Sequence, residues 1–77
     1  MEFKVGDRVR IYDFGRARDD KLGTVVHTEF SQTGVRHDDY IGGHDCNNNC
    51  PQGYGWYYFA YNLELIKYST DTLILLL

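Results

Sequence analysis

The residues best suited to chemistry lie close together near the middle of the chain. His44 precedes Cys46 by two positions, and Cys50 follows after three asparagines. Imidazole nitrogen and thiolate sulfur are ordinary zinc ligands, and a structural zinc ion takes four ligands in a tetrahedron. His44, Cys46 and Cys50 supply three of them. The candidates for the fourth ligand are His37, His27 and Asp45.

The two cysteines allow two other states, and the sequence leaves all three open. A disulfide closes if the loop curls enough to bring the two Cα atoms within bonding range. Otherwise the pair stays as free thiols in a polar loop. The Cys-x₃-Cys spacing differs from the commoner Cys-x₂-Cys of zinc sites, and the chain has no second pair. We therefore predict no obligatory cofactor, with zinc as one alternative.

Catalysis by either cysteine is not expected. A nucleophilic thiol needs a base beside it and a further group that orients the base. His44, Asp45 and Cys46 are neighbours on one loop, where that geometry is hard to reach. A chain of 77 residues also buries too little surface to shape a substrate cleft. These features predict a non-catalytic protein.

Short strands would position these residues. Alternating apolar and β-branched residues predict strands over 3–12, with a turn near Gly6, and over 24–30, 35–41 and 56–61. Leu63 to Ile66 are predicted to form a short 3₁₀ turn that leads into a last strand. The polar segment 13–22 and the Gly- and Asn-rich segment 42–55 predict long loops. Without an amphipathic helix, the pattern predicts one all-β domain, a small barrel or sandwich.

Basic charge is concentrated at the start of the chain. The formal net charge is −3, which argues against sequence-independent nucleic-acid binding. Residues 1–22 nevertheless carry six basic groups against five acidic ones. The candidates for contact with phosphate or with an acidic protein surface are Arg8, Arg10, Arg16 and Arg18. The alternative is ordinary surface charge, balanced by Asp13, Asp19 and Asp20.

Aromatic residues make up 16% of the chain, more than one small core can hide. The predicted strand over 56–61 is aromatic on both faces, so one face is available to a partner. The candidate partner-binding tyrosines are Tyr54, Tyr57 and Tyr61. In the alternative, Trp56, Tyr58 and Phe59 pack in the core and leave only Tyr57 and Tyr61 exposed.

Three motifs together resemble an SH3-like barrel of the KOW and Mib-Herc2 type. They are FKVGDRVRI over 3–11, GTVV over 23–26 and NLELI over 62–66. In such barrels they form the first strand, the start of the second strand, and the 3₁₀ turn with the fifth strand. The resemblance implies a five-stranded SH3-like barrel over 1–68, in which 42–55 is a long loop before the fourth strand. SH3-like folds bind Pro-rich or modified peptides in aromatic grooves.

The central segment is also similar to that of small SH3-like proteins from phages and prophages of Gram-positive bacteria. It has GHDC over 43–46, then Cys50, then GYGWY over 53–57, with Tyr54 where a histidine often stands in that group. The resemblance implies the fold and a phage source. Together with the small size, the aromatic surface and the mixed charge, it leads to the hypothesis of an accessory protein that binds and inhibits or redirects a host protein or nucleoprotein complex, such as an anti-CRISPR-like inhibitor. The alternative is a KOW-like nucleic-acid-binding module with a zinc-clipped loop.

The end of the chain is unusually apolar. Residues 73–77 are five consecutive aliphatic residues, an aggregation hazard if exposed. We expect the tail over 69–77 to add a strand, to dock on the domain or to pair with a second copy in a homodimer. No apolar run approaches the length of a membrane span, and no signal-peptide pattern is visible. A cytoplasmic protein is therefore predicted, in the host cytoplasm if a phage encodes it.

Overall fold

The computed structural model describes residues 2–16 and 18–66, which form one antiparallel sheet. Its strands are β1 (Arg8–Ile11), β2 (Leu22–Thr28), β3 (Thr33–His37), β4 (Gly55–Tyr58) and β5 (Leu63–Leu65). Their order in the sheet is β4-β3-β2-β1-β5. The prediction of an all-β fold with five strands is confirmed for the described residues. The predicted tail over 69–77 lies outside the described residues.

Several strands are shorter than predicted because turns interrupt them. Gly6 has a φ of 99°, a left-handed conformation that glycine adopts without steric cost. The backbone N–H of Asp7 donates to the carbonyl of Lys4 at 3.0 Å and closes this turn. For this reason β1 begins at Arg8 rather than at residue 3. Similarly, β3 ends at His37 and β4 at Tyr58, short of the predicted ends at 41 and 61.

The predicted order of the last elements, a strand, a 3₁₀ turn and a strand, is confirmed, but the predicted position of the 3₁₀ turn is wrong. The 3₁₀ turn covers Ala60–Asn62, before the segment that was expected to contain it. Leu63–Leu65 is already β5 and pairs with β1, with Leu63 opposite Ile11. Leu63 is buried and Glu64 is exposed, which is the alternation of a strand with one face on the core.

The core lies on one face of this sheet. Val9 and Ile11 of β1 are fully buried, whereas Arg8 and Arg10 point to the other side. The core cluster consists of Phe3, Val9, Ile11, Val25, Val35, Tyr58 and Leu63. Burial of each aliphatic side chain contributes about 1.5–3 kcal/mol. A slip of one residue in β1 would place arginines in the core, so this burial fixes the register.

The loop between β1 and β2 is attached to the 3₁₀ turn. The backbone N–H of Tyr12 donates to the carbonyl of Asn62 at 2.7 Å. The side-chain amide of Asn62 donates back to the carbonyl of Tyr12 at 2.9 Å. The start of the loop therefore lies beside the turn that precedes β5. In the described part of the chain, no helix is long and apolar enough to cross a membrane.

Candidate functional site

The loop between β3 and β4 contains a tight turn that carries both cysteines. The carbonyl of Asp45 accepts hydrogen bonds from the backbone N–H groups of Asn49 at 2.9 Å and Cys50 at 3.0 Å. Residues 46–48 all have left-handed φ angles, between 49° and 69°. Asparagine tolerates this conformation better than most residues, which explains its use at 47 and 48. The turn places Cys46 and Cys50 on the same side of the loop, against the start of β4.

Both thiols are free and lie against Gly55, the first residue of β4. A Cβ on Gly55 would lie 2.7 Å from the Cys46 sulfur and 2.8 Å from the Cys50 sulfur. Cys46 is fully buried and Cys50 is half-buried. Burial, together with the adjacent Cys50 thiol, raises the pKa of Cys46 to about 12. Cys46 is therefore a protonated thiol at neutral pH, and neither nucleophile nor metal ligand in that form.

The side chains predicted as zinc ligands make separate contacts instead of surrounding a single site. Across residues 2–16 and 18–66, no three His, Cys, Asp or Glu side chains form a group that could hold a metal ion. His44 stacks on Trp56, and its Nδ1 accepts a hydrogen bond from the backbone N–H of Cys46 at 3.0 Å. His27 lies within 3.3 Å of Glu29 and Asn49. In this arrangement, the predicted residues do not form a set of zinc ligands.

His37, the fourth candidate ligand, is buried in the core with both ring nitrogens occupied. Nδ1 lies 3.0 Å from the carbonyl of Tyr54, which only accepts, so Nδ1 carries the proton. Nε2 then accepts from the hydroxyl of Tyr58 at 2.7 Å. Burial lowers the pKa of His37 below its ordinary value of 6.5. The bond to Tyr54 opposes this effect and the charge of Arg18 adds to it.

The stability of the protein is expected to fall as the pH is lowered below 6.5, the ordinary pKa of histidine. Because the pKa of His37 is lower in the folded state, protonation of His37 favours the unfolded chain. Above pH 6.5 His37 is neutral in both states, and the free energy of unfolding decreases as the pH falls from 6.5 through the folded pKa. Urea unfolding at a series of pH values measures this slope.

Two histidine variants show which residue causes the pH dependence of stability. A His37→Gln substitution should remove it, and a His27→Gln substitution should leave it in place. Asp38 acts in a separate window, because its hydrogen bonds to Arg8 lower its pKa, so its contribution is lost only below 3.8. An equal slope in wild type and the His37 variant would contradict the assignment.

Each of the four predicted arginines pairs with a carboxylate. The pairs are Arg8 with Asp38 at 2.7 Å, Arg10 with Asp20 at 2.9 Å, and Arg16 and Arg18 with Asp13 at 3.6 and 3.3 Å. A phosphate would compete with these carboxylates for the same guanidinium groups. The pairing is what the surface-charge alternative predicts, and exposed pairs of this kind contribute at most about 1 kcal/mol.

Arg18 differs from the other three arginines because it is largely covered. Its side chain is 20% exposed, against 70% for Arg16. Its guanidinium carbon lies 4.2 Å from the centre of the Trp56 ring, within range for a cation–π contact. Its guanidinium group also lies near the hydroxyl of Tyr58. Arg18 therefore attaches the β1–β2 loop to β4.

The three predicted tyrosines occupy different environments. Tyr54 is half-buried, with its ring edge-on to Tyr40. Tyr57 is also half-buried, and its hydroxyl is covered without a hydrogen-bond partner among the described residues. Tyr61 is 80% exposed, the most accessible of the three. The assignment of Phe59 to the core is wrong, since β4 ends before it and its side chain is 44% exposed.

Two stacked aromatic pairs flank the junction of the β1–β2 loop and the 3₁₀ turn. The rings of Tyr12 and Phe14 lie 6.5 Å apart, and those of Phe59 and Tyr61 lie 5.4 Å apart and nearly parallel. Phe14 is 83% exposed. We call these four residues the aromatic patch. The carboxylate of Glu64 lies near the Tyr12 hydroxyl at the rim of the patch, and 4.0 Å from the guanidinium of Arg10.

Sequence reasoning missed Tyr12, Phe14 and Phe59 as surface candidates. One available signal was Phe14, a large apolar residue in the otherwise polar segment 13–22. A single exposed apolar residue is common, but a cluster of them marks an interaction site. That cluster forms only when Tyr12 is bonded to Asn62, fifty residues away.

No family model, curated protein or solved structure matches the chain. The resemblance to SH3-like barrels therefore rests on the sequence motifs. What the molecule does is inferred from the geometry of the described residues.

Proposed function

We propose that the chain is a non-catalytic binding module that holds an extended protein segment against the aromatic patch. The observation that carries this proposal is the exposure of Phe14 and Tyr61 on two stacked pairs at one junction. Aromatic side chains are enriched in the centres of protein interfaces, where they dominate the binding energy. The buried, protonated thiol of Cys46 supports the non-catalytic part.

The chemistry of the patch favours a segment that combines proline with a basic residue. Pro-rich segments adopt an extended helix at low entropic cost and dock on aromatic surfaces. The exposed ring faces of Phe14 and Tyr61 attract cations. The net charge of −3 also attracts basic segments over longer distances.

We further propose that the five strands close into an SH3-like barrel. Its support is the strand order β4-β3-β2-β1-β5, the 3₁₀ turn between β4 and β5, and the one-sided core. The hydrogen bonds between Tyr12 and Asn62 add to this support, because they fold the first long loop onto that turn.

The biological role we propose is that of a phage-type accessory protein that inhibits or redirects a host protein or nucleoprotein complex. Its support is the resemblance of the central segment, together with small size and the aromatic patch. The KOW-like nucleic-acid alternative has less support, because the four predicted arginines are already paired with carboxylates.

A double substitution, Phe14→Ala with Tyr61→Ala, is expected to weaken peptide binding by about 30-fold, the effect of losing about 2 kcal/mol at an interface centre. The probe is an array of extended peptides that carry proline beside lysine or arginine, with affinities then measured by fluorescence anisotropy. The control is Phe30→Ala, which removes an aromatic ring outside the patch that is more exposed than Phe14 or Tyr61. The proposal fails if no peptide binds, or if the control loses as much affinity as the double variant.

A further inference from the structure

A second feature, independent of the aromatic patch, is the pair of thiols on Gly55. Both sulfurs lie within 3 Å of the point that a Cβ on Gly55 would occupy. The turn that carries them is closed by the carbonyl of Asp45, which accepts from the N–H groups of Asn49 and Cys50. The side-chain amide of Asn49 also donates to the carbonyl of Cys46 at 2.8 Å. The two sulfurs are therefore brought together by the folded backbone.

The surroundings of the two thiols favour an uncharged product, such as a disulfide. The Cys46 sulfur is fully buried and faces the carbonyl oxygens of Val35 at 3.8 Å and Trp56 at 3.9 Å. Burial away from water disfavours a thiolate at this sulfur and is compatible with a neutral thiol. A disulfide carries no charge, so the same site accommodates it. Soft-metal binding would need two thiolates in this environment.

We propose that Cys46 and Cys50 form a reversible intramolecular disulfide by exchange with a low-molecular-weight disulfide such as glutathione disulfide. This inference does not rest on the proposed binding function. It assigns a modification site to the loop between β3 and β4.

The half-buried Cys50 reacts first, since Cys46 has no exposed surface. The Cys50 thiolate attacks one sulfur of glutathione disulfide, which forms a mixed disulfide and releases one glutathione thiolate. The Cys46 thiol then loses its proton to solvent and the resulting thiolate attacks the Cys50 sulfur, and the second glutathione leaves as a thiolate that takes up a proton. Two electrons pass from the two protein thiols to glutathione disulfide, which becomes two molecules of glutathione.

The test uses the full chain in a buffer in which glutathione disulfide is in large excess over glutathione. After acid quenching and alkylation, intact mass spectrometry should show a species that lacks two hydrogen atoms and takes up no alkyl group. Dithiothreitol should restore two alkylatable thiols. Peptide mapping should place the bond between Cys46 and Cys50 of the same chain. The oxidised form should also unfold at a higher urea concentration, because the bond constrains the unfolded chain.

Two serine variants separate the steps. A Cys46→Ser chain should stop at the mixed disulfide, with one glutathionyl group on Cys50. A Cys50→Ser chain should stay unmodified for as long as it remains folded. The wild-type result decides the proposal if either variant fails to fold. Two free thiols in the oxidising buffer, a persistent glutathione adduct, or a bond between two chains would each overturn it.

Discussion

Replacement of Gly55 by alanine is expected to lower the free energy of unfolding by about 3 kcal/mol, the upper end of the usual cost of overpacking. The new Cβ would lie within 2.8 Å of both cysteine sulfurs and of the carbonyl oxygen of His44. Two backbone hydrogen bonds, of 2.7 and 2.9 Å, join Gly55 to His44, so the strand cannot move aside. A core of this size supplies only about 3–5 kcal/mol. Many molecules would therefore be unfolded.

Urea unfolding measures this loss, with Gly15→Ala as the matched control. Gly15 has a φ of 73°, but no atom lies within 4 Å of its added Cβ. That substitution costs only the left-handed backbone conformation, about 1–2 kcal/mol. If the two variants were equally destabilised, the clash with the sulfurs and the His44 carbonyl would not be the cause.

An Arg18→Ala substitution is expected to destabilise the protein by about 2 kcal/mol, between the values for exposed and buried ion pairs. It removes the cation–π contact with Trp56 and leaves the carboxylate of Asp13, which is 17% exposed, without its covered partner. The aliphatic part of the side chain also packs on the ring, so burial is lost along with charge.

Arg16→Ala is the matched control for Arg18, because both arginines pair with Asp13 and they differ in exposure. We expect a loss of at most about 0.5 kcal/mol for this exposed partner. The Trp56 indole resonance should shift in the Arg18 variant and stay in place in the Arg16 variant. Equal losses of stability would show that Arg18 is ordinary surface charge.

Much of the sheet could be predicted from the sequence, because alternation is a local property. Val9 and Ile11 are two residues apart and both are buried, as their spacing indicates. The ends of the strands could not be predicted in the same way. They depend on specific turns, such as the one at Gly6, and on the 3₁₀ turn that ends β4 early. A run of aromatic residues after β4 conceals that ending, because it has the same composition as the strand.

The candidate site was harder to predict than the sheet. The spacing of Cys46 and Cys50 left their proximity open, because it depends on the turn that the carbonyl of Asp45 closes. The pairing of Arg18 with Asp13 and Trp56 depends instead on how the β1–β2 loop packs against β4. His37 is a polar residue by type, yet it is buried because Tyr54 and Tyr58 satisfy both of its ring nitrogens. Such contacts join residues distant in sequence, and no local pattern encodes them.

The most direct test of the binding function is capture of partners from a bacterial lysate by the tagged full chain, before and after nuclease treatment. Mass spectrometry would compare wild type, the Phe14→Ala/Tyr61→Ala variant and the Phe30→Ala control. We predict that one protein is retained by wild type and the control after nuclease treatment and is lost from the double variant. Capture that disappears with nuclease, or that is equal for all three chains, would contradict a protein-binding role for the aromatic patch.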